Sequence, residues 1–133
     1  MTNPAGLIRR QSPHDAAETA RRLRAAIEQA GMTLFADIDH GQNAIDIGMA
    51  LRPMRLLIFG NPRAGTQLMQ LNPTVGIDLP FKALVWEDES GAAWLAYNEP
   101  GWVAARHGLG PEAEAVVTAI SGGLARLVAA ATA

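Results

Sequence analysis

The sequence predicts an α+β domain: an antiparallel sheet with two main helices packed on one face. Three observations carry this reading. Two long helical patterns, Ser12 to Gly31 and Pro111 to Ala131, bracket the middle of the chain. Strand-length apolar segments lie before and between them. The last two of those segments are joined by the tight turn Glu89-Ser90-Gly91, which makes them an antiparallel hairpin.

The elements follow in order. Gly6 to Gln11 is a short strand with Leu7 and Ile8 as its apolar content. Ser12-Pro13 opens a helix: Ser caps free N–H groups, Pro suits the first helical position, and Asp15 places negative charge in the first turn. Ala16, Ala20, Leu23, Ile27 and Ala30 recur at helical spacing, and Gly31 stops the helix. Met32 to His40 alternates, with Met32, Leu34, Ala36 and Ile38 on one face and Thr33, Phe35, Asp37 and Asp39 on the other.

Gly41 to Ala50 fits a short helix broken by Arg52-Pro53. Met54 to Phe59 is a continuous apolar strand ended by the turn residues Gly60-Asn61-Pro62. Gly65-Thr66 caps another short helix holding Leu68, Met69 and Leu71, and Pro73 stops it. After the Asp78-Leu79-Pro80 corner, Phe81 to Asp88 and Ala92 to Asn98 are the hairpin strands. Pro100 to Arg106 is a short helix. Pro111 begins the last helix, with Glu112 and Glu114 near its positive end and Gly122-Gly123 weakening its middle.

At 133 residues the chain is read as one domain, 1–133. Aromatics are 5%, so the core is built from Leu, Ile, Val, Met and Ala. A net charge of −2 and a pI near 5.9 supply no basic footprint for nucleic acid. The absence of cysteine excludes disulfides, thiolate metal sites and a Cys nucleophile. The first residues show no apolar signal-peptide core, and no apolar run approaches the ~18 residues of a membrane span. The expected location is the cytoplasm, with no membrane partner.

Polar and special-geometry residues crowd Leu51 to Gly108 more densely than core strands and helices require. The motifs are Leu51-Arg52-Pro53, Phe59-Gly60-Asn61-Pro62, Gly65-Thr66, Met69, Pro73, Asp78-Leu79-Pro80, Lys82, Trp86-Glu87-Asp88, Tyr97-Asn98, Pro100 and Arg106-His107-Gly108. In this combination the block resembles the DUF302 family of small proteins, a domain of unknown function, and Ser12 to Gly31 is similar to that family's first helix. Phe81 and Glu99 are mild departures. The resemblance implies a β-α-β(4)-α arrangement of the TATA-binding-protein-like type, here with short extra helices. It also implies a homodimer. It brings no catalytic residue and no cofactor.

Each constellation has a functional and a structural reading. Arg106-His107, at a helix end, suits an anion or acid–base work; it equally suits a loop anchored by a salt bridge from Arg106 to Glu87 or Asp88. Lys82 is the only lysine; it could act as a base or nucleophile, or sit in an ion pair with Asp78 or Asp88. Alternation places Lys82, Trp86 and Asp88 on one sheet face and Glu87 on the other, where a carboxylate needs a partner. Gly60-Asn61-Pro62 through Thr66 could form an anion-binding nest, or only a turn and a cap. Asp37, Asp39 and His40, with Met49 or Met69 nearby, form a weak metal candidate; no metal is assigned. The expected role is a small-ligand binding or regulatory module, anion binding included, using Asn61, Thr66, Lys82, Asp88, Tyr97, Arg106 and His107. The alternatives are a structural homodimer and an enzyme using Lys82, Glu87 or His107 in acid–base chemistry.

Overall fold

A computed structural model describes residues 3–133. Five strands, β1 (Leu7–Ser12), β2 (Thr33–Asp39), β3 (Met54–Gly60), β4 (Lys82–Glu87) and β5 (Ala93–Asn98), form one sheet in the order β1-β5-β4-β3-β2. Every neighbouring pair is antiparallel. The helices are α1 (Ala16–Gln29), α2 (His40–Asp46), α3 (Pro62–Leu71), α4 (Pro100–Arg106) and α5 (Glu114–Ala131). Two 3-10 turns, Pro73–Asp78 and Pro111–Ala113, complete the β-α-β(4)-α order with its short additions. The Leu79–Pro80 bond is cis.

The helices α1 and α5 pack on each other and cover one sheet face. That face contributes Leu57, Phe59, Ala83, Val85, Leu95 and Tyr97 to the core, against Leu23 and Ile27 of α1 and Leu124, Leu127 and Val128 of α5. Full burial of a Leu, Ile or Phe side chain stabilises by about 1.5–3 kcal/mol each, so this layer dominates stability. The opposite face carries Leu56 and Ile58 of β3, Leu84 and Trp86 of β4 and Trp94 of β5, all only half-buried. Trp86 and Trp94 stack at 6.5 Å, and the Arg9 guanidinium lies 4.9 Å from the Trp94 ring. Lys82 and Trp86 share this open face, as alternation predicts, while Glu87 faces the helices.

Four local expectations need correction. The cap of α1 is Asp15, which accepts from the Glu18 N–H at 2.8 Å, rather than Ser12. Ser12 is the buried end of β1, paired with Ala93, and its Oγ accepts from Thr19 at 2.6 Å. The cap of α3 is Asn61, accepting from Arg63 N–H at 2.9 Å, so Pro62 takes the first position and Gly65-Thr66 lies inside the helix. In β2 an irregularity between Leu34 and Ala36 breaks the simple alternation: Leu34 pairs with core Phe59, whereas Ala36 and Ile38 pair with open-face Ile58 and Leu56. Finally, the segment Pro111–Ala131 is long and apolar enough to cross a membrane by length and composition, although charged residues keep it from being an uninterrupted apolar run. It turns Leu124, Leu127, Val128 and Ala131 into the core.

Candidate functional site

Between α3 and α5, over the ends of β3 and β4, lies an apolar cavity of about 390 Å³. Its floor is Phe59 and Phe81; Met69, Leu79, Ile120 and Leu124 close its sides. Small residues make the space. Ala64 and Gly65 of α3 and Ala119 and Gly123 of α5 line it, and a Cβ added at Gly65 would meet nothing nearer than Leu79 at 3.8 Å. Helix-breaking Gly123, read from sequence as a weakness of α5, is therefore a wall of this cavity. A side chain there would point at Met32, 3.6 Å away.

Three polar side chains belong to the lining: Asn61, Thr66 and Arg126. The Asn61 carbonyl is committed to capping α3. Arg126 is exposed and has no carboxylate within 4 Å among the described residues. Its guanidinium folds back over the glycine pair, so that a Cβ at Gly122 would come within 3.4 Å of it. Sequence reading missed Arg126 and the cavity; the one available signal was a Gly-Gly pair inside an amphipathic helix. Of the seven expected site residues, Asn61 and Thr66 line the cavity and the other five do not.

Three of those five gather around Asp78 instead. Its Oδ2 accepts from the Arg106 guanidinium at 2.7 Å and from His107 Nε2 at 2.5 Å. The Lys82 ammonium donates to the Asp78 backbone carbonyl at 3.3 Å. On its other side the His107 ring meets the Thr74 hydroxyl at 2.9 Å, and Asn72 donates its amide to the His107 carbonyl at 2.6 Å. Partial burial pushes the Asp78 carboxyl upward, but the His107 and Arg106 hydrogen bonds and the Arg106 charge outweigh it and hold the group below its ordinary range. Burial lowers the Lys82 ammonium, opposed by the Asp78 charge. The partner of Arg106 is thus Asp78, not Glu87 or Asp88; Glu87 faces Arg52 at 3.8 Å. The cluster is a clamp between the 3-10 turn before Leu79 and the end of α4: the Asp78 carboxylate pairs Arg106 and holds the His107 ring, while Lys82 reaches only its backbone carbonyl.

Asp88 stands at the hairpin. It accepts from the Ser90 hydroxyl at 2.7 Å, the Trp94 indole at 2.8 Å, and the Ser90 and Ala92 N–H groups at 2.9 and 3.0 Å. The Ser90 and Trp94 side-chain hydrogen bonds lead in holding it down at about 2. Tyr97 sits on the helix-covered face, where burial raises its hydroxyl. Asp37 is bound by Arg55 at 2.6 Å and Arg24 at 3.1 Å, and Asp39 caps α2. No group of three or more potential metal ligands gathers among the described residues.

A family model described as "Domain of unknown function DUF302" matches residues 8–127. A crystal structure of the "uncharacterized conserved protein DUF302 from Bacillus stearothermophilus" superposes with a TM-score of 0.83 over 96% of this chain and 98% of that one, at 20% identity, which shows the shared fold. Two curated relatives are 46% identical over 116 residues, 87% of this chain: "Fluoride-specific ion channel FluC 1" of Brucella suis biovar 1 (strain 1330) and of Brucella abortus biovar 1 (strain 9-941). The matched segment is 46% and 43% of their respective lengths, so this chain spans less than half of the curated relatives it matches.

Proposed function

The chain belongs to the DUF302 family, and from that premise we propose that it is a small-ligand-binding, regulatory module whose ligand occupies the cavity between α3 and α5. The observation that carries this is the cavity itself: about 390 Å³, apolar, built from deliberately small residues on two helices, with Asn61 and Thr66 at its wall. Concave, mostly apolar pockets with a few polar groups are the usual form of a small-molecule site. The regulatory half of the reading is drawn from length: the relatives named as fluoride-specific ion channels carry a segment of this kind together with at least as much other chain, the arrangement of a module appended to a longer protein. A fluoride ion in the apolar body of this cavity is disfavoured: burying a compact anion among Phe59, Phe81 and Leu124, which offer no donor, is costly. The test is thermal stability across a panel of small apolar and amphipathic molecules. A ligand that raises Tm in the wild type and not in Gly123→Phe, which fills the cavity, supports the reading; a panel without such a ligand counts against it.

A second reading, self-association, rests on a separate observation. The open sheet face presents contiguous half-buried Leu56, Ile58, Leu84 and Trp86, outside the core layer that α1 and α5 cover. A second copy would cover this face. Sedimentation should give a dimer at micromolar concentration that Leu84→Glu dissociates; a monomeric wild type removes this reading. The acid–base reading is the least favoured, since Glu87 faces Arg52 and His107 faces Asp78, and neither lines the cavity.

A further inference from the structure

We infer that the cavity takes an amphipathic monoanion: an apolar chain or ring among the Phe59, Phe81 and Leu124 side chains, with a carboxylate head at Arg126. The inference rests on the ligand-binding reading above and adds the ligand's chemical class. Size comes first. At ~30 Å³ per water-sized unit, about 390 Å³ corresponds to about thirteen such units, the scale of a molecule with about a dozen heavy atoms. Polarity comes second. The lining is aliphatic and aromatic apart from Asn61, Thr66 and Arg126, so most of a ligand's surface must be apolar and its polar groups few.

Charge comes third. Among the described residues Arg126 is the only charged one in the lining. Most other arginines near the helix layer are matched: Arg21 and Arg22 by Glu18, Arg24 by Asp37 and Glu28, Arg55 by Asp37, and Arg106 by Asp78; Arg63 of α3 has no ion pair among the described residues, but it does not line the cavity. Arg126 has no such partner among the described residues. It also lies where an anion would need it. Gly122 and Gly123 leave the guanidinium room to fold over the helix toward the cavity wall that Gly123 forms. A planar guanidinium presents paired donors that match a carboxylate.

The experiment compares octanoate with 1-octanol by calorimetric titration at pH 7, on the wild type, Arg126→Ala and Gly123→Phe. Arg126 is exposed, so its truncation leaves the core intact; circular dichroism verifies this for both variants. On the wild type, octanoate should bind about tenfold more tightly than octanol, the order expected for one charge-assisted pair at a partly exposed site. In Arg126→Ala the two should bind about equally, with octanol unchanged. In Gly123→Phe both should be lost. Equal binding of both probes to the wild type, abolished by Gly123→Phe, overturns the head-group assignment and keeps the cavity reading. A carboxylate preference that survives in Arg126→Ala also overturns it. Probes that bind neither form, or bind Gly123→Phe as well as wild type, remove the cavity reading and this inference with it.

Discussion

His107 Nε2 sits 2.5 Å from Asp78 Oδ2, joining the end of α4 to the 3-10 turn across 29 positions of sequence. Because Asp78 is an acceptor only when ionised, His107 donates from Nε2. The same oxygen takes Arg106 at 2.7 Å. Removing the carboxylate leaves a largely buried imidazole and a guanidinium unpaired. Asp78→Ala should therefore destabilise by about 2 kcal/mol, the scale of a lost hydrogen bond to a charged group. Denaturant unfolding of Asp78→Ala, His107→Ala and the double variant measures it. The pair's coupling should appear as clear non-additivity; additive losses would mean the contact contributes nothing of its own.

The acid limb of stability should depend on the same residue. The folded-state pKa of Asp78 is lowered, so near pH 4 the unfolded chain binds more protons than the folded one. Its contribution is present above the unfolded value, ~3.9, and is lost as pH falls through the lower folded value. Asp88 and Glu18, both held at about 2, act in the same direction. Asp78→Asn should flatten, without abolishing, the fall in Tm between pH 5 and pH 2. An unchanged slope contradicts the assignment.

Gly6 is required by its surroundings as well as its backbone. Its φ is +75°, and an added Cβ would run into the Trp102 ring packed against it. Gly6→Ala should cost about 2 kcal/mol from backbone strain and forced movement of the indole. Gly31 has a similar φ of +71° with nothing within 4 Å of an added Cβ. Gly31→Ala should therefore lose only the backbone part, and the difference between the two unfolding free energies isolates the steric contribution.

Elements whose signals are local were legible in sequence: the Glu89-Ser90-Gly91 turn, the apolar run of β3, Pro100 opening α4, and the period of α1. What was not legible depends on distant partners. Ser12-Pro13 has the local form of a cap, but pairing of Ser12 with Ala93 draws Ser12 into the sheet and leaves the cap to Asp15. The irregularity at Leu34/Ala36 hides inside an unbroken apolar alternation. Asn61 was found because turn residues mark the start of α3, and Thr66 because Gly65-Thr66 has the local form of a cap, although it lies inside the helix. Arg126 was not, because nothing local distinguishes it from any solvated arginine; only the fold sets it beside the space left by Gly123.

The hairpin offers a spectroscopic test. Asp88 holds the Trp94 indole at 2.8 Å, and Trp94 stacks on Trp86. Asp88→Ala frees that indole and three further donors from the turn. It should lower Tm and shift tryptophan emission, whereas Asp88→Asn, which keeps an acceptor oxygen, should retain part of both. Identical emission from wild type and Asp88→Ala would show that the indole does not depend on this carboxylate.

Lys82 carries the opposite sign to the carboxylates. It is half-buried on the open sheet face, paired through its side chain only with the Asp78 carbonyl at 3.3 Å, and burial lowers its folded-state pKa. Below the lowered value the buried charge therefore makes a destabilising contribution, which fades as pH rises through that value toward the unfolded ~10.4. Lys82→Met keeps an unbranched apolar side chain opposite Ile58 of β3 and removes the charge. It should raise stability at pH 7 by about 0.5 kcal/mol, at the lower end of typical stabilising substitutions. The advantage should shrink in the alkaline range as pH rises toward the unfolded value, ~10.4. Tyr97, whose raised hydroxyl drives a loss of stability in the alkaline range, is common to both proteins and cancels in the difference. A Lys82→Met variant less stable than wild type at pH 7 would mean that the ammonium's contact with the Asp78 carbonyl outweighs its burial.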